Sequence, residues 1–293
     1  MQQTKDTNSP KSRNNLRLCV LGSGSGGNSA VLQLGSAAIL IDAGLGPRTT
    51  ASRLRGAKLD LTNLSAICVT HLDSDHFRPN WVPILIALRI PLLLHRWHLA
   101  VLKRLNGADE LERQQLVQVF DDKPFEPIPT LRVTAVPLPH DVKGTTGFHF
   151  ESDAGRVGYA TDLGHVPAQL ITRFAGVDLL AIESNYDPQM QLGSTRPLFL
   201  KRRIMGGRGH LSNQESFEAV RRIVDRSPIG RPQRIVLLHR SRQCNCPYVV
   251  SRVFDQDPRI GPRIVLTEQR RRTRWLTVTP PPPLHRHQLN WAF

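Results

Sequence analysis

The stretch VTHLDSDHF, residues 69–77, sets two histidines and two aspartates within six positions, directly behind an apolar run. Ionisable groups are costly at the exit of a buried strand unless something compensates them. The run before them, AICVT, ends in His71, and three others end alike: VTAVPLP in His140, VGYAT in Asp162 and RIVLL in His239. If these strands lie side by side, the four landings converge on one rim, where loops normally carry function. Imidazole and carboxylate are ligands of borderline divalent metals. Clustering them without a cation costs several kcal/mol in desolvation and like-charge repulsion. A lone strand-end histidine is ordinarily a satisfied surface or core residue. Four such landings and a His-x-Asp-x-Asp-His cluster favour metal.

The spacing within 71–76 divides the ligands. In an extended arm residues 71, 73 and 75 point one way and residue 76 the other. A tight turn after Asp73 lets His71 and Asp73 serve one ion while Asp75 and His76 serve a second, with Asp162 bridging the pair. Two ions about 3.5–4 Å apart can hold a hydroxide between them and clamp both oxygens of an in-line displacement.

Around this centre the 293-residue chain is long enough for a substantial core and carries a formal charge of +15. Residues 1–16 contribute +2 and residues 270–293 contribute +5, which leaves the body at +8. A basic body suits a phosphate-rich partner, although a solvated basic surface explains the same number. Cys19 and Cys68 sit inside strand-like runs, while Cys244 and Cys246 are spaced too closely for a zinc clip. The apolar segment WVPILIALRIPLLLHRW, residues 81–97, is broken by Pro83, Arg89 and Pro91, which argues against a membrane span. The polar N-terminus has no apolar leader core, so a cytoplasmic location is expected.

Runs such as LRLCVLG, AVLQLG and AAILIDAG, with turn glycines between, read as strands. GFHFESDAGRVGYATD reads as a hairpin about SDAG, and RWHLAVLKRLNG as a helix ending on Gly107. LSNQESFEAVRRIVDRS opens with a capping box, Ser212 and Glu215, and continues as a helix. Many strand pairs are connected too tightly for βαβ crossovers. That favours two sheets packed face to face with helices outside, an α/β (α+β) four-layer αββα sandwich. Residues 1–15 are expected to be a disordered basic and polar tail, 16–278 the folded domain, and 279–293 a proline-rich tail.

HLDSDH, with Asp42 in ILIDAG, His140, Asp162 and His239, resembles the metallo-β-lactamase-fold hydrolases, whose signature is His-x-His-x-Asp-His followed by distant His, Asp and His. The resemblance covers roughly residues 17–278. LGSGSGGNS (21–29), ATDLGHV (160–166), IESNYD (182–187) and GHLSN (209–213) look like the WalJ (YycJ) branch, which is 5′-exonuclease-like. It implies the αββα sandwich with its site on one edge. It implies one metal at His71, Asp73 and His140, a second at Asp75, His76 and His239, and Asp162 between them. Asp42 would orient the ligand loop from behind, and Asp75 and His210 would be catalytic. His210, ahead of a helix N-terminus, would contact phosphate or donate a proton. Ser25, Asn28, His165, Asn185, Ser241 and Asn245 are the expected substrate contacts. The glycine loop lacks the Lys-Ser/Thr ending of a P-loop, so it does not read as a nucleoside triphosphate site.

The chain departs from that pattern in places. Asp73 stands at the family's second histidine; its carboxylate favours harder ions such as manganese over zinc and weakens the Lewis acidity there. Tyr186 replaces a histidine, Arg240 a leucine and Cys244 an asparagine. The expectation is a metal-dependent phosphodiesterase, a 5′-exonuclease-like nuclease using two divalent ions (zinc or manganese) on nucleic acid. Arg202, Arg203, Arg208, Arg240 and Arg242 are candidates for a phosphate path. Two other readings stay open: a hydrolase of a small phosphodiester, thioester or lactone, and a nucleic-acid-binding relic weakened at Asp73. Oligomeric state is open.

Overall fold

A computed structural model describes residues 15–279. The expected tails therefore lie almost wholly outside the described residues. In chain order the strands are β1 (Leu16–Gly22), β2 (Ser29–Leu34), β3 (Ala37–Ile41), β4 (Leu64–Cys68), β5 (Leu92–His95), β6 (Val117–Phe120), β7 (Phe125–Ile128), β8 (Leu131–Leu138), β9 (Thr145–Ser152), β10 (Gly155–Ala160), β11 (Leu179–Glu183), β12 (Arg234–Leu238), β13 (Ile264–Leu266) and β14 (Leu276–Thr277). They form two seven-stranded sheets, ordered β14-β1-β2-β3-β4-β5-β6 and β13-β12-β11-β10-β9-β8-β7.

Each sheet is mixed. Strands β3 to β6 run parallel and so do β10 to β13, while β1-β2-β3 and β7-β8-β9-β10 are antiparallel ladders. Strands β8 and β10 both run antiparallel to β9, so they point the same way. The residues that follow β8, β10, β11 and β12 consequently leave the second sheet at one edge. Those that follow β3, β4 and β5 likewise leave the first sheet at one edge.

Alternation along the strands explains the layering. Leu16, Leu18 and Val20 of β1 face the second sheet with Ile39, Ile41, Phe148, Phe150 and Tyr159. Cys19 and Leu21 face outward, onto Leu54, Trp81, Leu85 and Leu111 of the first sheet's helices. On the far side Leu180, Ile235 and Leu237 meet Leu170, Phe174, Val220, Ile223 and Phe254. Both faces of the central strands are thus covered, which is why they read as continuous apolar runs. Each buried Leu, Ile, Val or Phe side chain contributes roughly 1.5–3 kcal/mol. The result is the four-layer αββα sandwich.

Several local expectations hold. Ser152 and Gly155 close the β9–β10 hairpin, and Ser212 and Glu215 cap the helix Asn213–Asp225 reciprocally. Segment 81–97 breaks into the helix Val82–Leu88 and strand β5; among the described residues no helix is long and apolar enough to cross a membrane. One expectation is corrected. The helix through 96–107 is only a 3-10 turn, Arg96–His98, and one α-turn, Leu99–Leu102. Gly107 does adopt left-handed backbone (φ 82°), but it heads the next helix, Ala108–Arg113, whose acidic first turn favours a new start.

Candidate metal centre

The edge where strands leave both sheets gathers the polar landings. Asp42 follows β3, His71 follows β4, His140 follows β8, Asp162 follows β10 and His239 follows β12. Asp42, Asp162 and His239 take left-handed backbone (φ 61°, 54° and 51°). Such conformations are uncommon outside glycine, and aspartate and histidine tolerate them better than most. The sharp bend turns each side chain off its strand and toward the gathered landings, Asp42 lying behind the others and sealed from solvent.

Residues 71–76 form the tight turn. The Asp73 carbonyl accepts hydrogen bonds from the backbone N–H of His76 and of Phe77, both at 2.8 Å. The turn is clamped by its neighbours: Asn28 N–H donates to the Asp75 carbonyl (2.7 Å) and Ala43 N–H to that of His76 (2.6 Å). Gly44 is required at this crossing, since a Cβ there would overlap the Asp75 carbonyl and stand 2.8 Å from the Asn28 nitrogen.

Two triads result. Ligating atoms of His71, Asp73 and His140 lie within 4.8 Å of one another, and so do those of Asp75, His76 and His239. Asp162 lies between, within the same reach of His71 and His76 and, on its other side, of His239, His210 and Glu183. Asp73 and Asp75 are the open members, with side chains 56% and 26% exposed. The other candidate ligands are buried.

The donor set suits divalent cations. Both Asp162 oxygens are buried, and their polar neighbours are the imidazoles of His76, His210 and His239. Four imidazoles have Nδ1 already engaged: His71 with Thr70 Oγ1 (3.0 Å), His76 with Asp42 Oδ2 (2.8 Å), His140 with the Gly209 carbonyl (2.8 Å) and His239 with Glu183 Oε1 (3.1 Å). That leaves Nε2 as the ring atom that meets the cluster: it is free of hydrogen bonds on His71 and His140, faces Asp162 Oδ2 and Asn28 Nδ2 (3.0 Å) on His76, and faces Asp75 Oδ2 (3.3 Å) on His239. Fixing one ring nitrogen so that the other faces the cation is how proteins orient metal-binding histidines. Asp42 extends the support, since it also accepts from Thr70 N–H (2.8 Å).

Electrostatics point the same way. Burial alone would discharge these rings, and it pushes His71 well down, helped by the neighbouring His76. For His76 the carboxylates of Asp162 and Asp42 outweigh burial and raise it well above the ordinary range. His239 is held up at about 9 against burial by Asp162, Asp75 and Glu183. His210 is held up at about 10 by Glu183 and Asp162. The buried carboxylates thus draw positive charge into the cluster, as protons or as divalent ions that displace them.

Glu183 is a member that the sequence reading missed. It is fully buried at the end of β11, accepts from Leu163 N–H (2.9 Å) and Leu211 N–H (3.2 Å), and touches His210 Nδ1 at 2.8 Å. LLAIE ends in an acid just as its neighbours end in His or Asp, so the same rule reaches it.

Beside the triads opens a cleft lined by Ser25, Asn185, Arg196, Arg203, His210 and Ser241, among others. Ser25, Asn185, His210 and Ser241 therefore sit where substrate contacts were expected. Asn28 and Asn245 lie behind it instead, 1% and 4% exposed: Asn28 holds the glycine loop, and Asn245 bonds to the Ser184 and Asn185 carbonyls. His165 is exposed, and its Nδ1 pairs with the Gly207 carbonyl rather than entering the cleft (2.9 Å). Tyr186 and Cys244, two of the departures from the family pattern, pack together with Ile204, which lines the cleft wall.

The family described as the Beta-lactamase superfamily domain matches residues 37–239. The exodeoxyribonuclease YycJ of Bacillus anthracis is 27% identical over 209 residues, 71% of this chain and 78% of that protein. The exodeoxyribonuclease WalJ of Streptococcus pneumoniae serotype 2 is 27% identical over 230 residues, 77% of this chain and 82% of its own. Among solved structures, the metallo-beta-lactamase fold protein YhfI of Bacillus subtilis superposes with a TM-score of 0.60 at 14% identity, over 90% of this chain and 99% of that one. The chain belongs to the β-lactamase superfamily, as a metal-dependent hydrolase of the metallo-β-lactamase fold.

Proposed function

We propose that the chain is a two-metal phosphodiesterase that degrades nucleic acid from an end, in the manner of a 5′-exonuclease. The observation that carries this reading is the pairing of two ligand triads about Asp162 with a cleft whose wall offers Arg196, Arg203 and His210. The similarity to two proteins named exodeoxyribonucleases supports it.

His71, Asp73 and His140 would hold one cation, and Asp75, His76 and His239 the other, with Asp162 shared. When bound, two such ions supply Lewis acidity, neutralise phosphate charge and make water nucleophilic near neutral pH. Asp73 in place of a histidine favours manganese over zinc at the first position. The protein's own groups do the rest. Arg196 is oriented by Gln243 Oε1 (3.0 Å), Gln191 Oε1 (3.0 Å) and Ser241 Oγ (3.3 Å), so its guanidinium is preset at the cleft wall. Arg203 pairs with Asp141, the one acid in the cleft's lining among the described residues, and offsets its repulsion for a phosphate. The carboxylates of Glu183 and Asp162 favour the protonated form of His210 against burial, and with Nδ1 on Glu183 only Nε2 is left to offer a proton to a substrate oxygen. That proton suits the departing oxygen of a phosphodiester.

The test is incubation of the full chain with 5′-phosphorylated single- and double-stranded DNA and RNA plus manganese. The expected result is progressive release of mononucleotides, reduced at least about a hundredfold in His71→Ala. No release above the His71→Ala background overturns the reading.

A further inference from the structure

The cleft does not end at its own wall. Ser241, which lines it, also lines a second and larger groove formed by the segments 240–247 and 266–270. The cleft encloses about 250 Å³ and the groove about 730 Å³. The wall between them is the glycine loop: Ser25 faces the cleft, while Gly26 N–H donates to Gln269 Oε1 (2.8 Å) and Gln269 Nε2 donates to the Gly27 carbonyl (2.9 Å). Gln269 itself lines the groove. The cleft and the groove therefore adjoin, sharing Ser241 and lying on either side of the glycine loop.

The groove is basic, and its arginines have separate jobs. Arg240 is part of the framework, with Nη2 donating to the Thr267 carbonyl at 3.0 Å. Arg242 and Arg270 are exposed, and among the described residues neither side chain makes a hydrogen bond or an ion pair. The one acid of the lining, Glu268, is approached by Arg271 at 3.9 Å. Two exposed guanidinium groups on a groove that adjoins the candidate metal centre match a chain of regularly spaced phosphates. A small phosphodiester needs the cleft alone and has no use for this extension.

We propose that the groove is a binding track for the phosphodiester backbone of a single polynucleotide strand whose end lies in the cleft, with Arg242 and Arg270 as phosphate contacts. The inference rests on the nuclease reading for the strand's end, yet its own test is binding. Fluorescein-labelled single-stranded DNA 8-mers and dinucleotides are titrated with the full chain in buffer without added metal, and anisotropy is followed from low to moderate salt. The Arg242→Ala/Arg270→Ala double variant is expected to bind the 8-mer about tenfold more weakly and to lose about 1.4 from the slope of log K against log salt, some 0.7 per phosphate. Dinucleotide binding is expected to be unchanged. An unaltered 8-mer affinity or slope overturns the track, as does an equal loss on the dinucleotide. A polyglutamate peptide that competes as well as the 8-mer also overturns it, since the groove would then read charge alone.

Hydrolysis of bis(p-nitrophenyl) phosphate with manganese separates this inference from the one beneath it. Equal rates in parent and double variant, beside weaker 8-mer binding, support the track. If the parent hydrolyses neither that ester nor DNA while the binding difference persists, the nuclease reading falls and the track stands.

Discussion

Asp42 Oδ2 lies 2.8 Å from His76 Nδ1, and both side chains are fully sealed from solvent. Asp42 reaches no cleft, so whatever it does for metal it does through His76 and the backbone of Thr70. Asp42→Ala is expected to weaken manganese affinity by roughly 10–100-fold. Because it leaves the buried His76 Nδ1 and Thr70 N–H without their acceptor, it is also expected to cost about 1–3 kcal/mol of stability. Calorimetric metal titration and urea unfolding check the two separately. Unchanged affinity would show that His76 needs no orienting carboxylate.

Asp73 is the most exposed of the candidate ligands, and it stands where the family carries histidine. Asp73→His is expected to raise zinc occupancy and to lower manganese-supported activity. Elemental analysis after equilibration with both metals, beside a manganese-dependent rate, is the measurement. No change in either would place Asp73 outside the coordination sphere.

Gly44 and Gly193 make a matched pair. A methyl group on Gly44 collides with the Asp75 backbone, whereas one on Gly193 meets nothing within 4 Å. Gly44→Ala is expected to displace the 73–76 turn and to abolish tight metal binding. Gly193→Ala is expected to leave metal binding alone and to stabilise the helix Pro188–Gly193 by no more than about 0.5–1 kcal/mol. Metal titration and thermal melts of the two variants, run together, decide this; equal behaviour refutes the crossing described above.

His149 lies on β9, belongs to none of the candidate ligand groups, and burial pulls its imidazole down to about 4. In the unfolded chain a histidine titrates near about 6.5. Between those values the unfolded state binds the extra proton, so its contribution is fully present above pH 6.5, shrinks as pH falls and levels off below pH 4. The loss amounts to at most about 3 kcal/mol. His149→Gln is expected to flatten that limb of the stability profile, measured by urea unfolding at pH 7, 5.5 and 4.5. An identical slope in the variant would assign the acid loss to other groups.

Much of the centre was legible in the chain because strand exits leave a mark: an apolar run that ends in His or Asp. Glu183 obeys the same rule, but IESNYD was read for its substrate side, so the acid that supports His210 and His239 went unnoticed. What the pattern hides is physical. The helix Leu198–Met205 turns Leu198 and Phe199 outward, 71% and 73% exposed, so apolar residues on its open face mask the short inward stripe of Leu200 and Ile204. Strands β7 and β14 are too short to show alternation. Asn28 and Asn245 sit in motifs that surround the cleft, and linear spacing does not distinguish a side chain in the wall from one behind it.

Each triad draws on both halves of the sandwich. His71 and Asp73 leave the first sheet while His140 leaves the second; Asp75 and His76 leave the first while His239 leaves the second. Ions coordinated there would staple the two halves together at the edge where the strands leave both sheets. Chelation would then act on the fold as well as the chemistry, because a ligand at a hundred times its dissociation constant adds about 2.7 kcal/mol to the native state. Starved of metal, the molecule would lose its fastening before it lost its shape, and proteolysis would begin at that seam.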